Sequence, residues 1–315
     1  LKEAEQLFYN GEVNGVLLIP ENFEKDILSG KRTSVTAYCD AGYFMLYKQV
    51  YGGAIYSSGT FGAAVEIKKL VSQGKTMAQA MDMQDPVKVD IYNLYNPSGG
   101  YGSFVMPGMI IIIMQQTLLI GIGMLGGTIR EKKMFLKKYG TVRHKWGNVK
   151  LVFSKSLAYM LTYLITALFP MVLLHHWFAF PDKGHLLPIV GTMIPFLLAV
   201  SFLGMGVSML FKQRVHSILF MVFLSPMVVF LSGISWPTTA IPQGLYWISH
   251  IFPSGFMVPA YLRLRLFGAD MSSVRFEWIS LMVQMVVYFL FACYTYKLAI
   301  KRMGRKIGKK SVVIA

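Results

Sequence analysis

The stretch Arg130–Lys155, REKKMFLKKYGTVRHKWGNVKLVFSK, lies between two long apolar runs and carries a density of Lys and Arg matched only in the C-terminal tail. Basic residues concentrate in short loops on the cytoplasmic side of a membrane, so this loop is expected to be cytoplasmic, and it assigns a side to every other segment. Outward from it the chain reads as a membrane protein. Of its 315 residues 54% are hydrophobic, 14% aromatic and 15% charged, with a mean hydropathy of +0.49. The formal charge of +16 is unevenly divided. Residues 1–100 hold nine Lys and Arg against eleven Asp and Glu, whereas residues 101–315 hold twenty-two against four. The positive excess therefore flanks uncharged runs, which points to membrane topology and argues against nucleic acid as a partner.

Five apolar runs are each long enough to cross a hydrocarbon core of roughly 30 Å: about Phe104–Ile129, Leu151–Trp177 with Lys155 snorkelling near one end, Leu186–Leu210, Val215–Gly233 and Trp278–Tyr296. Between Arg214 and Arg263 there is no charged residue, and prolines at 226, 237, 242, 253 and 259 break the run. The expected solution is a helix to about Gly233 followed by a re-entrant or interfacial segment over 234–262, with Trp236, Tyr246 and Trp247 at the membrane surface. The basic tail Lys297–Lys310 is placed inside, so five spans leave residues 1–100 outside. The sparse arginines Arg263, Arg265 and Arg275 run against this assignment without outweighing it. An outside N-terminal domain needs something to export it, so a first membrane helix is expected ahead of Leu1, giving six spans.

Residues 1–100 read as an extracytoplasmic α/β domain. Strands are expected at Gly15–Pro20, Ser34–Tyr38 and Val87–Tyr95, a short helix ends at Gly30, and helical spacing from Tyr43 to about Met83 is interrupted by Gly52, Gly53, Gly59 and Gly62. Residues Asn96–Gly100 form a linker, residues 101–310 the membrane domain and 311–315 a tail.

With these spans on the page, three passages resemble a known family. The run LSGISWPTTAIPQGLYWISHIFPSGFMVPAYLRL, with Leu231, Ser232, Gly233, Pro237, Pro242 and Pro253, is similar to the segment after the fifth helix of ABC-2 type exporter permeases. LYNPSGGYGSFVMPGMI resembles the family's entry into its second helix, and VNGVLLIPENFEKDILSGKRTSVTAYCDA its extracytoplasmic domain. The resemblance implies a membrane α-helical bundle that works as a homo- or heterodimer and exports a lipophilic or amphipathic substrate. It also implies a cytoplasmic ABC ATPase as partner, with ATP and Mg bound there and no cofactor here, and leaves room for a periplasmic adaptor. A bacterial inner membrane is the expected location. Gly74-Lys75-Thr76 echoes a phosphate loop, but Lys69 stands where its first glycine belongs. The family's docking helix opens on an Arg-Glu pair, which Arg130 and Glu131 match; Lys132 and Lys133 depart from the residues that usually follow, and Ser154-Lys155 resembles the start of the next span.

Other residues keep two readings. Arg130, Glu131, Lys132, Lys133 and Lys155 serve ATPase coupling, or act as topological charges and lipid contacts. Gly123 with Gly127, and Gly204 with Ser208, permit close helix approach inside the subunit or in a dimer. Gln115, Gln116 and Gln284 line a substrate path or bond between helices. His175, His176 and His185 suit an interface better than a metal site, and Cys39 and Cys293 offer neither a disulfide nor metal spacing. No catalytic constellation stands out. The rival to a transporter is a membrane-anchored scaffold or sensor whose outer domain binds a ligand or adaptor.

Overall fold

The computed structural model describes residues 4, 6–7, 12–13, 15–39, 44–86, 96, 100–132, 146–234 and 241–313, except for the side chains of 44–46, 168, 174 and 303–313. The chain divides into two compact units, Leu1–Ile91 and Tyr92–Ala315.

In the first unit β1 (Gly15–Leu18) pairs antiparallel with β2 (Thr36–Cys39), Gly15 opposite Cys39 and Leu18 opposite Thr36. Between them lies α1 (Phe23–Leu28), closed by Gly30 at φ 74°. A side chain on Gly15 would collide with Val50 and approach the Tyr38 carbonyl to 3.3 Å, so the strand is glycine where it meets the helix that follows. That helix, α2 (Phe44–Ser72), runs unbroken through all four glycines expected to interrupt it. Glycine costs a helix interior only about 1 kcal/mol relative to alanine, too little to stop 29 residues. Helix α2 ends where Gly74 turns at φ 89°, and α3 (Met77–Gln84) starts on a capping box in which Thr76 and Gln79 bond each other's backbone. Gly74-Lys75-Thr76 is thus a helix-to-helix turn. The strand expected at Val87–Tyr95 lies outside the described residues.

The second unit is a helical bundle. Its helices are α4 (Tyr101–Glu131), α5 (Gly147–Leu168), α6 (Leu186–Ser208), α7 (Arg214–Leu231), α8 (Gln243–Ser249), α9 (Ser254–Leu266) and α10 (Arg275–Val313). Among the described residues five stretches are long and apolar enough to cross a membrane: α4, α5 with its extension to Trp177, α6, α7 and Met271–Arg302. They match the five expected spans. Helix α5 continues through a π-helical turn at Phe169–Leu174, where Pro170 removes a backbone donor and widens the helix. Asn96 and Ser103 close the turn before α4: the Asn96 amide and the Ser103 hydroxyl both donate to the Gly100 carbonyl, at 2.9 and 2.8 Å.

Helices α4 and α6 form the centre, with 61% and 56% of their most apolar windows buried, against 19%, 17% and 22% for α5, α7 and α10. The outer three therefore present apolar faces for lipid or for other membrane helices. Close approach at the centre rests on small residues. A Cβ on Gly204 would sit 3.2 Å from Leu119, one on Gly123 3.1 Å from Ser217 Oγ, and one on Gly127 2.7 Å from the Arg214 Cα; one on Gly126 would collide with Ser208. The four residues of the two small-residue pairs thus serve the α4–α6 and α4–α7 interfaces.

Candidate functional site

Two places in the bundle concentrate polar groups. The first is the turn between α8 and α9. After α7 stops at Gly233 (φ 83°), where the Ser232 hydroxyl donates to the Val229 carbonyl at 2.7 Å, residues 235–240, including Trp236 and Pro237, lie outside the described residues. Pro242 and Pro253 then stand at the N-caps of α8 and α9, where a missing N–H costs little. The part of the segment expected to be re-entrant or interfacial that is described is therefore two helices joined by the short turn 250–253. Helix α9 packs against α4, α6 and α10.

A turn between two helices inside a bundle leaves helix-end donors and acceptors without water, each costing several kcal/mol if unpaired in an apolar medium. Three side chains satisfy them. The Gln115 amide of α4 accepts from the Ser254 N–H at 2.8 Å and donates to the Ser254 hydroxyl at 3.0 Å. Gln284 of α10 donates to the His250 carbonyl at 2.6 Å, and the Tyr288 hydroxyl donates to the Ile251 carbonyl. The His250 ring packs at a tilt against Tyr246 and edges Phe256, at centroid distances of 4.3 and 4.5 Å. Gly255 is required for contact, since a Cβ there would lie 2.6 Å from the Ser249 carbonyl oxygen.

Gln115 and Gln284 are thus interhelical clamps. Gln116, one residue on, is different: it is 5% exposed, yet neither its amide nitrogen nor its carbonyl oxygen has a hydrogen-bond partner. The buried hydroxyls of Ser201 on α6 and Ser217 on α7 are unpaired as well.

Beyond the turn, arginines hold the end of α9. Arg265, 6% exposed, pairs with Asp182 and donates to the Met171 carbonyl in the π-helical turn, both at 2.6 Å. Arg263 pairs with Glu277 and donates to the Ser273 carbonyl at 3.2 Å. Two of the three arginines that ran against the topological pattern are therefore neutralised locally. The fifth span was expected to start at Trp278 without a carboxylate; α10 starts at Arg275, and Glu277 is buried in its first turn to meet Arg263. Nearby, His175 is buried with Nδ1 3.4 Å from the Pro170 carbonyl and its ring edge-on to Phe180; His176 is exposed, and His185 precedes α6.

The second place is the far end of α4. The Glu131 carboxylate accepts from the backbone N–H of Arg214 at 3.0 Å, capping the first turn of α7 where a helix dipole favours negative charge. Arg130 has one buried guanidinium nitrogen without a partner and lies within electrostatic reach of Arg302 on α10. Lys132 ends α4, and the Lys155 ammonium sits 5.9 Å from the centre of the Tyr296 ring. The Asn148 amide donates to the Cys293 carbonyl at 3.1 Å, tying α5 to α10. Lys133 and the rest of the loop to 145 lie outside the described residues.

The Glu131 cap, the Arg265–Asp182 pair and the Gln115–Ser254 clamp carry little local signal in the sequence. A Gln within an apolar span announces a polar need but not its partner, here 139 residues away.

No curated protein matches the chain. Residues 1–294 match the family model described as ABC-2 family transporter protein.

Proposed function

We propose a role for this chain from one premise: it belongs to the ABC-2 family of transporter proteins, whose model covers residues 1–294. It is therefore a membrane permease component of an ATP-binding-cassette transporter, and its partners include an ABC ATPase and the bilayer. The finer reading is an exporter half. Two such chains pair, the Arg130–Lys155 loop meets the ATPase in the cytoplasm, and residues 1–100 lie on the opposite side. The α8–α9 segment closes the outer mouth, and the substrate is lipophilic or amphipathic. ATP and Mg act on the partner, while this chain supplies the path. A periplasmic adaptor would meet the outer domain.

The observation that carries this reading is the double engagement of α4. At the loop end Glu131 caps α7; sixteen residues away, about 24 Å along a helix, Gln115 grips the first residue of α9. A push on the basic loop is thereby delivered by one rigid helix both to the outer helix α7 and to the α8–α9 turn. Gln116, buried on the same helix with an unsatisfied amide, is the leading candidate for a group exposed to substrate when α4 and α7 part.

The test is reconstitution with a candidate ABC ATPase subunit. The pair Arg130→Gln with Glu131→Gln removes both charges but leaves an amide oxygen to cap α7, so the fold is kept while docking is weakened. Stimulated ATP hydrolysis should collapse in this variant. A purified chain that never retains an ATPase would refute the reading. In a background without Cys39 and Cys293, a cysteine at Lys138 should react only from the cytoplasm; reaction from outside would reverse the sides.

A further inference from the structure

We infer a binding site for one anionic phospholipid along the free face of α10. Trp278, Ile279, Met282, Val283, Val286 and Val287 line a trough of about 450 Å³ whose walls are almost wholly apolar. One rim is rigid, because the Trp278 indole N–H donates to the Gly191 carbonyl on α6 at 3.2 Å. The floor is open: Val283, Val286 and Val287 are each more than half exposed, on a helix within a candidate membrane span. Short β-branched side chains between Phe276 and Leu290, exposed by 69% and 62%, leave the recess.

Length and charge name the occupant. Trp278 to Val287 covers about 14 Å at 1.5 Å per residue, close to one leaflet of a hydrocarbon core roughly 30 Å thick. One acyl chain of one leaflet fits that depth. Arg275 lies on the same stripe, at i relative to Ile279 (i+4), Met282 (i+7) and Val286 (i+11), one turn beyond the trough where headgroups lie. Arg263 and Arg265 have carboxylate partners, whereas Arg275 is exposed and, among the described residues, unpaired. The one neighbouring carboxylate on its helix turn, Glu277, is turned inward to Arg263. An apolar chain below a free guanidinium is complementary to a phospholipid with net negative charge, bound through its phosphate. This site depends on membrane insertion alone, not on the transport reading.

The test uses the full chain with Trp146, Trp177, Trp236 and Trp247 replaced by Phe, reconstituted in phosphatidylcholine vesicles, so that Trp278 reports alone. Brominated phosphatidylglycerol should quench it with an apparent association constant about fivefold that of brominated phosphatidylcholine, the factor for one cationic side chain at an anionic lipid. Arg275→Gln should bring the ratio to one, and Arg275→Lys should keep most of it. If the four replacements spoil the fold, spin-labelled forms of the same two lipids read the same ratio on the unmodified chain. Equal quenching by both lipids before any change at Arg275 would overturn the inference. Absence of quenching by either would overturn it too, because the trough would then be covered by protein, such as a second copy.

Discussion

The clamp between Gln115 and Ser254 makes a sharp prediction about stability. Replacing Gln115 by Leu conserves volume but removes both hydrogen bonds and leaves the Ser254 N–H buried, Ser254 being 1% exposed. An unsatisfied buried donor costs about 1–3 kcal/mol, and interhelical bonds in membranes contribute about 0.6–2 kcal/mol each. Gln115→Leu should therefore destabilise the bundle by about 2–3 kcal/mol. Ser254→Ala removes only the hydroxyl and should cost about 1 kcal/mol, since its N–H still meets the glutamine oxygen. The assay is reversible unfolding in mixed detergent for both single variants and the double. In the double variant the hydroxyl bond is counted once rather than twice, so a coupling of about 1 kcal/mol is expected. Independent sites add to within about 0.3–0.5 kcal/mol. Additivity within that limit would show that the two side chains do not tie α9 to α4.

Further outcomes follow from the same contacts. Gln116→Leu should leave unfolding nearly unchanged or slightly improve it, because no hydrogen bond is lost; the same substitution should alter transport if Gln116 meets substrate, and a large loss of stability would show a partner. Gly127→Val should cost about 1–3 kcal/mol in detergent unfolding, its new atoms striking the Arg214 backbone. Gly52→Ala on α2, with open space around it, should stabilise the N-terminal unit by up to about 1 kcal/mol in thermal melts. Arg265→Gln should do more damage than Arg263→Gln, since the first side chain is 7% exposed and serves both Asp182 and the Met171 carbonyl, while the second is 38% exposed. Equal effects in the same melts would refute that ordering.

The reading of the second unit succeeded where the signal is local. A span is announced by its own apolar length, so the five long helices lie where the hydropathy runs do. Gly233 ends α7 because a left-handed turn suits glycine, and Pro242 and Pro253 mark the starts of α8 and α9 for an equally local reason. Local rules also misled. Glycines spaced as in α2 signal interruptions, yet the helix passes through them because their cost is spread along a long hydrogen-bonded ladder.

The sequence alone was enough to determine a helical membrane bundle, the position of a basic loop between its first two spans, and the break after the fourth span. Only tertiary structure decided which polar groups satisfy one another. By sequence Gln115 is equally a path-lining group, Glu131 a bare loop charge and Arg265 a marker of a loop's side; in the fold Gln115 caps α9, Glu131 caps α7, and Arg265 is neutralised by Asp182 and bonded to a π-helical carbonyl. The physical reason is the same in each case. Entering an apolar layer is additive over neighbouring residues and can be summed along the chain, whereas a buried polar group must find a partner in three dimensions, and that partner lies wherever packing brings it.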